Sequence, residues 1–387
     1  MVRPSPQPSP RLRGEGVGVF AKIALSAAFG VISPYCAIAQ ETVTPAPAPV
    51  QSAEAAVGSP VRGDEITPAQ QAAVERGLEW LAAHQGPEGA FGGSAGGFSR
   101  HAGITALAGL AFMQAGNLPG RGKYGDNVTK CLDFVLASCQ ESGMITSDQS
   151  HGPMYGHGFA ALFLAEIYGM TGRDDVKEPL QRAIRLIQKT QNREGGWRYN
   201  PVPYDADISV TICQVMALRA ARDAGIKVEK ETIDNAIKYV LACRNPDGGF
   251  SYMAGQGGSG NGPSQFARSA AGVATLFYAG VSEGEVIDRG LRYLLDYTPG
   301  TSRINADAEG HYFYGHYYAV QATFLAGGDY WKKWYGAIRD ELIARQNKTN
   351  GNWTDQMGED YASAMALIIL QMPNRYLPVY TGKGPGS

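Results

Sequence analysis

From Ile66 onward the apolar residues of this chain recur at helical spacing, in two alternating kinds of segment. In the first kind a stripe such as Val74, Leu78 and Leu81, or Ile184 and Ile187, runs along one face while Arg, Lys, Glu and Gln fill the others. That period predicts an amphipathic helix with one buried face. Six such helices are expected, at 68–84, 127–140, 176–190, 230–243, 285–297 and 330–345. In the second kind charges are scarce and Ala and Gly abundant, as in Ala102-Gly-Ile-Thr-Ala-Leu-Ala-Gly-Leu-Ala111. A helix apolar nearly all round is buried on both sides. Six of these are expected, at 101–115, 155–170, 207–224, 265–279, 314–326 and 360–371. Runs of β-type alternation are absent. The pattern predicts an all-α domain of six helix-pair repeats, an inner ring of weakly charged helices inside an amphipathic outer ring.

The joints between the two kinds of helix carry a motif of their own. Gln191-x-x-x-Gly195-x-Trp197 is matched by Gln85-x-x-x-Gly89-x-Phe91, and nearly by Arg244-x-x-x-Gly248-x-Phe250 and Gln346-x-x-x-x-Gly351-x-Trp353. Gln140-Glu-Ser-Gly143 is a degenerate copy. Glycine permits positive φ where the outer helix ends. The aromatic pins one repeat to the next, and the glutamine amide can bond carbonyls freed at the helix end. On these motifs the chain resembles the repeats shared by squalene and oxidosqualene cyclases and by the β-subunits of protein prenyltransferases. The resemblance runs from Ile66 to about Pro373. It implies an (α/α)6 toroid whose inner helices open at their ends into a central cavity.

Outside the repeats, Arg3, Arg11, Arg13 and Lys22 precede an apolar stretch that ends in Ala37-Ile-Ala39, the form of a secretory signal peptide over 1–39. Residues 40–65 are rich in Pro, Ala, Val and Ser, a linker composition, and 374–387 form a C-terminal tail after a toroid at 66–373. An exported protein, periplasmic or secreted, is expected, with no stable membrane span after cleavage. The formal net charge is −2, and loss of 1–39 removes four basic residues and one acidic residue, leaving −5. Nothing there points to nucleic acid. Cys131, Cys139, Cys213 and Cys243 show no zinc-type spacing, and Cys131 and Cys139 lie about 12 Å apart along one helix, too far to bridge. No metal or cofactor is expected. Gly255-Gln-Gly-Gly-Ser-Gly260 follows no strand, and so reads as a loop over the end of the ring, not as a dinucleotide fingerprint.

Chemistry is expected where the inner helices begin. Counted back from the glycines that end these helices, His101, His157 and Gln265 share one position, and Arg268 and His316 another, one turn further on. With Asp205, Asp207 and Asp360 they place polar groups near one end of the ring; Tyr314, Tyr317 and Tyr361 add aromatic wall. The alternative is that these groups cap helices and bond between them.

Asp207-Ile-Ser-Val-Thr is similar to the cyclase motifs whose aspartic acid protonates an isoprenoid double bond. The resemblance implies Asp207 as that acid, and Asp205 is placed to be its coupled partner. Ile208 departs from the pattern, standing where the hopene-type motif has another aspartate. The competing reading has Asp207 capping its helix through the N–H groups of Val210 or Thr211. The prenyltransferase zinc set is not matched: Tyr314-Gly-His316 looks like its histidine, but the preceding inner helix has no Asp-x-Cys.

Three functions remain. The first is a toroid holding an isoprenoid-like or other apolar small molecule or lipid. The second is a secreted polysaccharide lyase or glycoside hydrolase working through carboxylates such as Asp207, Asp307, Glu309 and Asp360. The third is a non-catalytic protein-interaction toroid.

Overall fold

The two kinds of apolar segment become two kinds of helix. The computed structural model describes residues 65–92, 100–147, 152–255, 260–300 and 310–381, all within one unit, Ala56–Ser387. The signal-like segment and the linker, apart from Glu65, lie outside the described residues, as do Asp307 and Glu309. The amphipathic set is α1 (Pro68–His84), α3 (Gly125–Ala137), α5 (Asp174–Lys189), α7 (Lys230–Ala242), α9 (Glu285–Leu295) and α11 (Gly328–Arg345). The weakly charged set is α2 (Ala102–Gln114), α4 (Met154–Thr171), α6 (Ile208–Asp223), α8 (Phe266–Ala279), α10 (Tyr312–Ala326) and α12 (Glu359–Leu370).

The even-numbered helices form the inner ring. α2 packs on α4, α4 on α6, α6 on α8, α8 on α10, α10 on α12, and α12 returns to α2. The odd-numbered helices lie outside them. Every residue of α2 is buried, whereas α5 buries only Val176, Leu180, Ala183, Ile184 and Ile187. The expected (α/α)6 toroid is therefore present. Small residues allow the inner ring to close: a β-carbon on Gly103 of α2 would stand 2.6 Å from the Gly156 Cα of α4. Sequence periodicity gave no sign of one feature, a two-residue hairpin of β1 (Met253–Ala254) and β2 (Gly260–Asn261) between α7 and α8. Residues 256–259 of the glycine run it brackets lie outside the described residues.

The joints do more than turn the chain. Gly195 has φ 102°, and a β-carbon there would fall 2.1 Å from the Asn235 carbonyl oxygen on the next outer helix. Gln191 Nε2 donates to the Gly195 carbonyl at 2.9 Å and to Thr232 of α7 at 2.8 Å. Gln85 and Gln346 make the same pair of bonds to their own turn and to the neighbouring outer helix. The amide thus ties one repeat to the next, a stronger role than closing a helix end.

The corner aromatic is fixed from the inner side. The backbone N–H groups of Phe91, Trp197, Phe250 and Trp353 donate to the hydroxyls of Thr105, Thr211, Ser269 and Ser363 at 2.9–3.1 Å. In the second repeat the acceptor is His157 Nδ1, 3.1 Å from the Ile145 nitrogen.

The described part of the expected tail, 374–381, packs against the ring, and a 3-10 turn at Pro378–Thr381 contacts α6 and α10. No helix among the described residues is long and apolar enough to cross a membrane.

Gly195 and Gly225 separate seating from strain. Both have positive φ, but nothing lies within 4 Å of a β-carbon at Gly225. Gly225→Ala is expected to cost about 1 kcal/mol in denaturant unfolding, the cost of left-handed backbone alone. Gly195→Ala should cost roughly 3 kcal/mol or more because the next helix must also move. Equal midpoints for the two would refute the seating.

Candidate functional site

At the end of the ring where the inner helices begin, a cavity of about 560 Å³ opens between all six repeats. His101, Gly103, Ile104 and Leu107 come from the start of α2, and Tyr155, Gly156 and Phe159 from α4. Ser209 begins α6, Gln265, Ala267 and Arg268 begin α8, His311 and Tyr314 begin α10, and Met357 and Tyr361 flank the start of α12. Gly152, Arg198, Tyr199 and Tyr252 enter from the loops between repeats. The wall is thus largely aromatic and carries two guanidiniums. Among the described residues that line it there is no Asp or Glu.

Of the residues expected here, His101, Gln265, Arg268, Tyr314 and Tyr361 line the cavity, and the other six are not among its lining residues. His157 is fully buried at its joint, and burial lowers its pKa to about 4. A neutral ring that accepts from Ile145 serves the joint as a threonine or serine hydroxyl does in other repeats. His316 is packed among Phe266, Tyr312 and Trp334, and burial lowers its pKa to about 3. Tyr317 lies one layer deeper, edge-on to Phe159. Asp360 accepts from the Gly92 N–H at 2.9 Å, and burial raises its pKa.

Asp207 caps α6: its Oδ1 accepts from Val210 N–H at 2.9 Å. The carboxylate is fully buried. Its second oxygen accepts from the Tyr252 hydroxyl at 3.1 Å and lies 3.8 Å from Arg198 Nε. Asp205 bonds the other side of that guanidinium at Nη1. The two carboxylates are therefore joined through Arg198, and among the described residues no direct bond couples them. Ile208 is fully buried, so the position of the missing third acid is part of the core. Burial raises the Asp207 pKa to about 6, against the Val210 and Tyr252 hydrogen bonds.

Tyr252 is the hub that joins this group to the cavity. Its hydroxyl contacts both Asp207 and the Tyr199 hydroxyl. The guanidinium carbons of Arg268 and Arg198 stand 5.2 and 5.8 Å from its ring centre. Arg268 lines the cavity, and no salt bridge pairs it with a carboxylate among the described residues. The Gly103 and Ile104 N–H groups donate to His101 Nδ1 at 3.1 and 3.3 Å, which leaves Nε2 as the protonated nitrogen of a neutral ring. His311, at φ 58°, holds a left-handed conformation at the entry of α10.

Arg198, Tyr199, Tyr252 and His311 were not anticipated from the sequence. A signal for two of them exists: Tyr199 and Tyr252 each stand two residues after a corner aromatic, Trp197 and Phe250.

Residues 160–324 match the family described as squalene-hopene cyclase C-terminal domain, and residues 33–178 match the prenyltransferase alpha-alpha toroid domain. The chain belongs to the prenyltransferase and squalene-cyclase repeat superfamily. No curated protein sequence matches it. Among solved structures, an inactive variant of an alpha-1,6-mannanase from Salegentibacter sp. HEL1_6, in complex with alpha-1,6-mannotriose, has a TM-score of 0.61 at 10% identity, covering 79% of this chain and 99% of that one. A variant of the type II terpene cyclase MstE from Scytonema, in complex with geranylgeranyl dihydroxybenzoate, has a TM-score of 0.56 at 12% identity over 80% and 98%. Cellobiose 2-epimerase from Spirochaeta thermophila DSM 6192 follows at 0.57 and 13% over 79% and 97%. At such identities the superfamily's toroid is what these structures share with this chain.

The buried carboxyl gives a pH prediction. Because the Asp207 pKa is raised in the fold from 3.8 to about 6, its contribution to stability is present below 3.8 and is lost as pH rises through about 6. Asn can still cap the helix. The stability of Asp207→Asn relative to wild type should therefore rise across that window by an amount on the order of 1–3 kcal/mol. Denaturant midpoints measured at a series of pH values test this, and parallel profiles would contradict it.

Proposed function

We propose that this toroid binds a small molecule with an anionic headgroup and an apolar body in the cavity at its inner-helix entrances. The observation that carries the reading is the composition of the wall: six aromatic rings and two guanidiniums, with no carboxylate among the described lining residues. Aromatic faces and aliphatic wall favour an apolar body, and Arg268, which unlike Arg198 is paired with no carboxylate among the described residues, favours a carboxylate or phosphate near Tyr252. A volume of about 560 Å³ suits a ligand of drug size. The terpene cyclase with the similar fold was solved with a prenylated aromatic acid, geranylgeranyl dihydroxybenzoate, a molecule of this general form. On the same reading the chain meets its ligand outside the cytoplasm, as the signal-like segment 1–39 suggests.

Acid-initiated chemistry at Asp207 would reach the cavity through Tyr252, since Asp207 does not line the wall. A proton would pass from Asp207 to the Tyr252 oxygen as the Tyr252 proton left for the ligand. Glycoside hydrolysis needs an acid and a second carboxyl group flanking one bond, and the described wall supplies neither.

Two experiments test the reading. Calorimetric titration with a prenylated hydroxybenzoate and its neutral methyl ester is expected to show the acid binding about 10- to 100-fold more tightly, the value of a charge-assisted contact. Arg268→Ala should remove most of that difference; equal affinities in wild type would sink the proposal. If the acid is turned over, Tyr252→Phe should abolish product as completely as Asp207→Asn while still binding the ligand. Retention of turnover by Tyr252→Phe would exclude the relay.

A further inference from the structure

The far end of the ring is closed by the chain itself. Around the inner ring α4 and α10 lie opposite each other. The turn Pro378–Thr381 contacts α6 and α10, while Val379 N–H donates to Glu166 Oε1 of α4 at 3.3 Å. A turn of four residues that touches helices on opposite sides of a ring lies on its axis. Leu377, Val379 and Tyr380 are accordingly buried, at 0%, 2% and 0% exposure. The Tyr380 hydroxyl meets that of Tyr317 of α10 at 3.1 Å. Tyr317 in turn stands edge-on to Phe159, ring centres 6.1 Å apart, and Phe159 is part of the cavity wall. An unbroken stack therefore runs from the cavity through Phe159 and Tyr317 to the C-terminal segment.

We propose that the C-terminal segment is an axial plug that makes the cavity blind and limits the length of the apolar body it accepts. The inference rests on the reading that an anionic headgroup sits at Arg268, near the mouth, so that the apolar body points down the axis toward Phe159. Each added methylene then gains affinity until the body meets Phe159, and further length has nowhere to go because Tyr380 holds Tyr317 in place from behind.

The test is a ladder of saturated straight-chain carboxylic acids, extended two carbons at a time and titrated calorimetrically below their micelle concentrations. Wild-type affinity is expected to rise about fourfold per methylene up to a cutoff and to fall beyond it. Tyr380→Ala should move the cutoff to longer acids, whereas Tyr380→Phe, which keeps the ring, should leave it in place. Should Tyr380→Ala fail to fold, the milder truncation Tyr380→Leu carries the same test, since it too removes the ring behind Tyr317. A cutoff that stays put in a folded Tyr380 truncation while the acids still bind overturns the plug as a length limit. If no acid of any length binds the wild type, the headgroup reading falls, and the length limit with it.

Discussion

The seating of the joint glycines against the next outer helix, at five of the six joints, is the contact on which the ring depends. Gly89 lies under the Lys130 carbonyl, Gly143 under Arg182, Gly195 under Asn235 and Gly248 under Arg289, with a hypothetical β-carbon 2.3, 2.4, 2.1 and 2.7 Å from the oxygen. Gly351 lies under Arg76 of α1 at 2.8 Å, so the last joint closes on the first helix. Such distances leave room for a hydrogen and nothing larger. The outer helices are thereby spaced by backbone contact, and side-chain volume on those faces does not enter. Coupling of this kind passes from neighbour to neighbour, as in open repeat proteins; among the described residues it spans five of the six steps, and between α9 and α11 neither Gly300 nor Gly310 has anything within 4 Å of a β-carbon.

The same joints place the site. Once a corner aromatic is held by a hydroxyl of the inner helix, the chain beyond it has one way to continue, and it latches onto the adjacent inner helix. Met154 N–H donates to the Tyr199 carbonyl at 3.1 Å, and Ile208 N–H donates to that of Tyr252 at 3.0 Å. Both tyrosines are fixed by backbone bonds to the starts of α4 and α6, and their phenols meet over the cavity. A mouth built from backbone-anchored aromatics needs few side-chain bonds to stay open. Arg268 carries its charge over the Tyr252 ring so anchored.

This division explains what could be read beforehand. Helix kind and number were legible because burial on one face or on both is written in composition and period, as the contrast between α5 and α2 shows. The joints were legible because glycine and an aromatic at fixed spacing have one common use. The lining was only partly so. His101 and His157 share a register on their helices, yet one faces the opening and the other faces Ile145, and helical period cannot tell these outcomes apart when the whole helix is buried. Arg198 and Tyr252 sit in loops, where no period exists to reveal their direction. The C-terminal turn was hidden for a different reason: a short run such as Leu377-Pro-Val-Tyr380 carries no periodic signal, and its burial comes entirely from a ring formed elsewhere.

Asp207 shows how far a motif can be right about position and still leave its chemistry to the surroundings. Its carboxylate serves a capping bond, a tyrosine and, at longer range, an arginine, and each of these donors favours the ionised form. Burial works against all three and prevails, giving a group that takes up a proton near pH 6. A carboxylic acid with that affinity is suited to exchanging protons with an oxygen. It is far weaker than an acid that must protonate a double bond, which requires donors that strengthen as the proton leaves. A third carboxyl group at the next position would change the balance by sharing the proton. Ile208 fills that place with hydrocarbon, and the charge nearest Asp207 is the Arg198 cation, which favours the ionised carboxylate where a second acid would oppose it. The neighbourhood of Asp207 is therefore better suited to proton exchange with an oxygen than to protonating a hydrocarbon chain deeper in the ring.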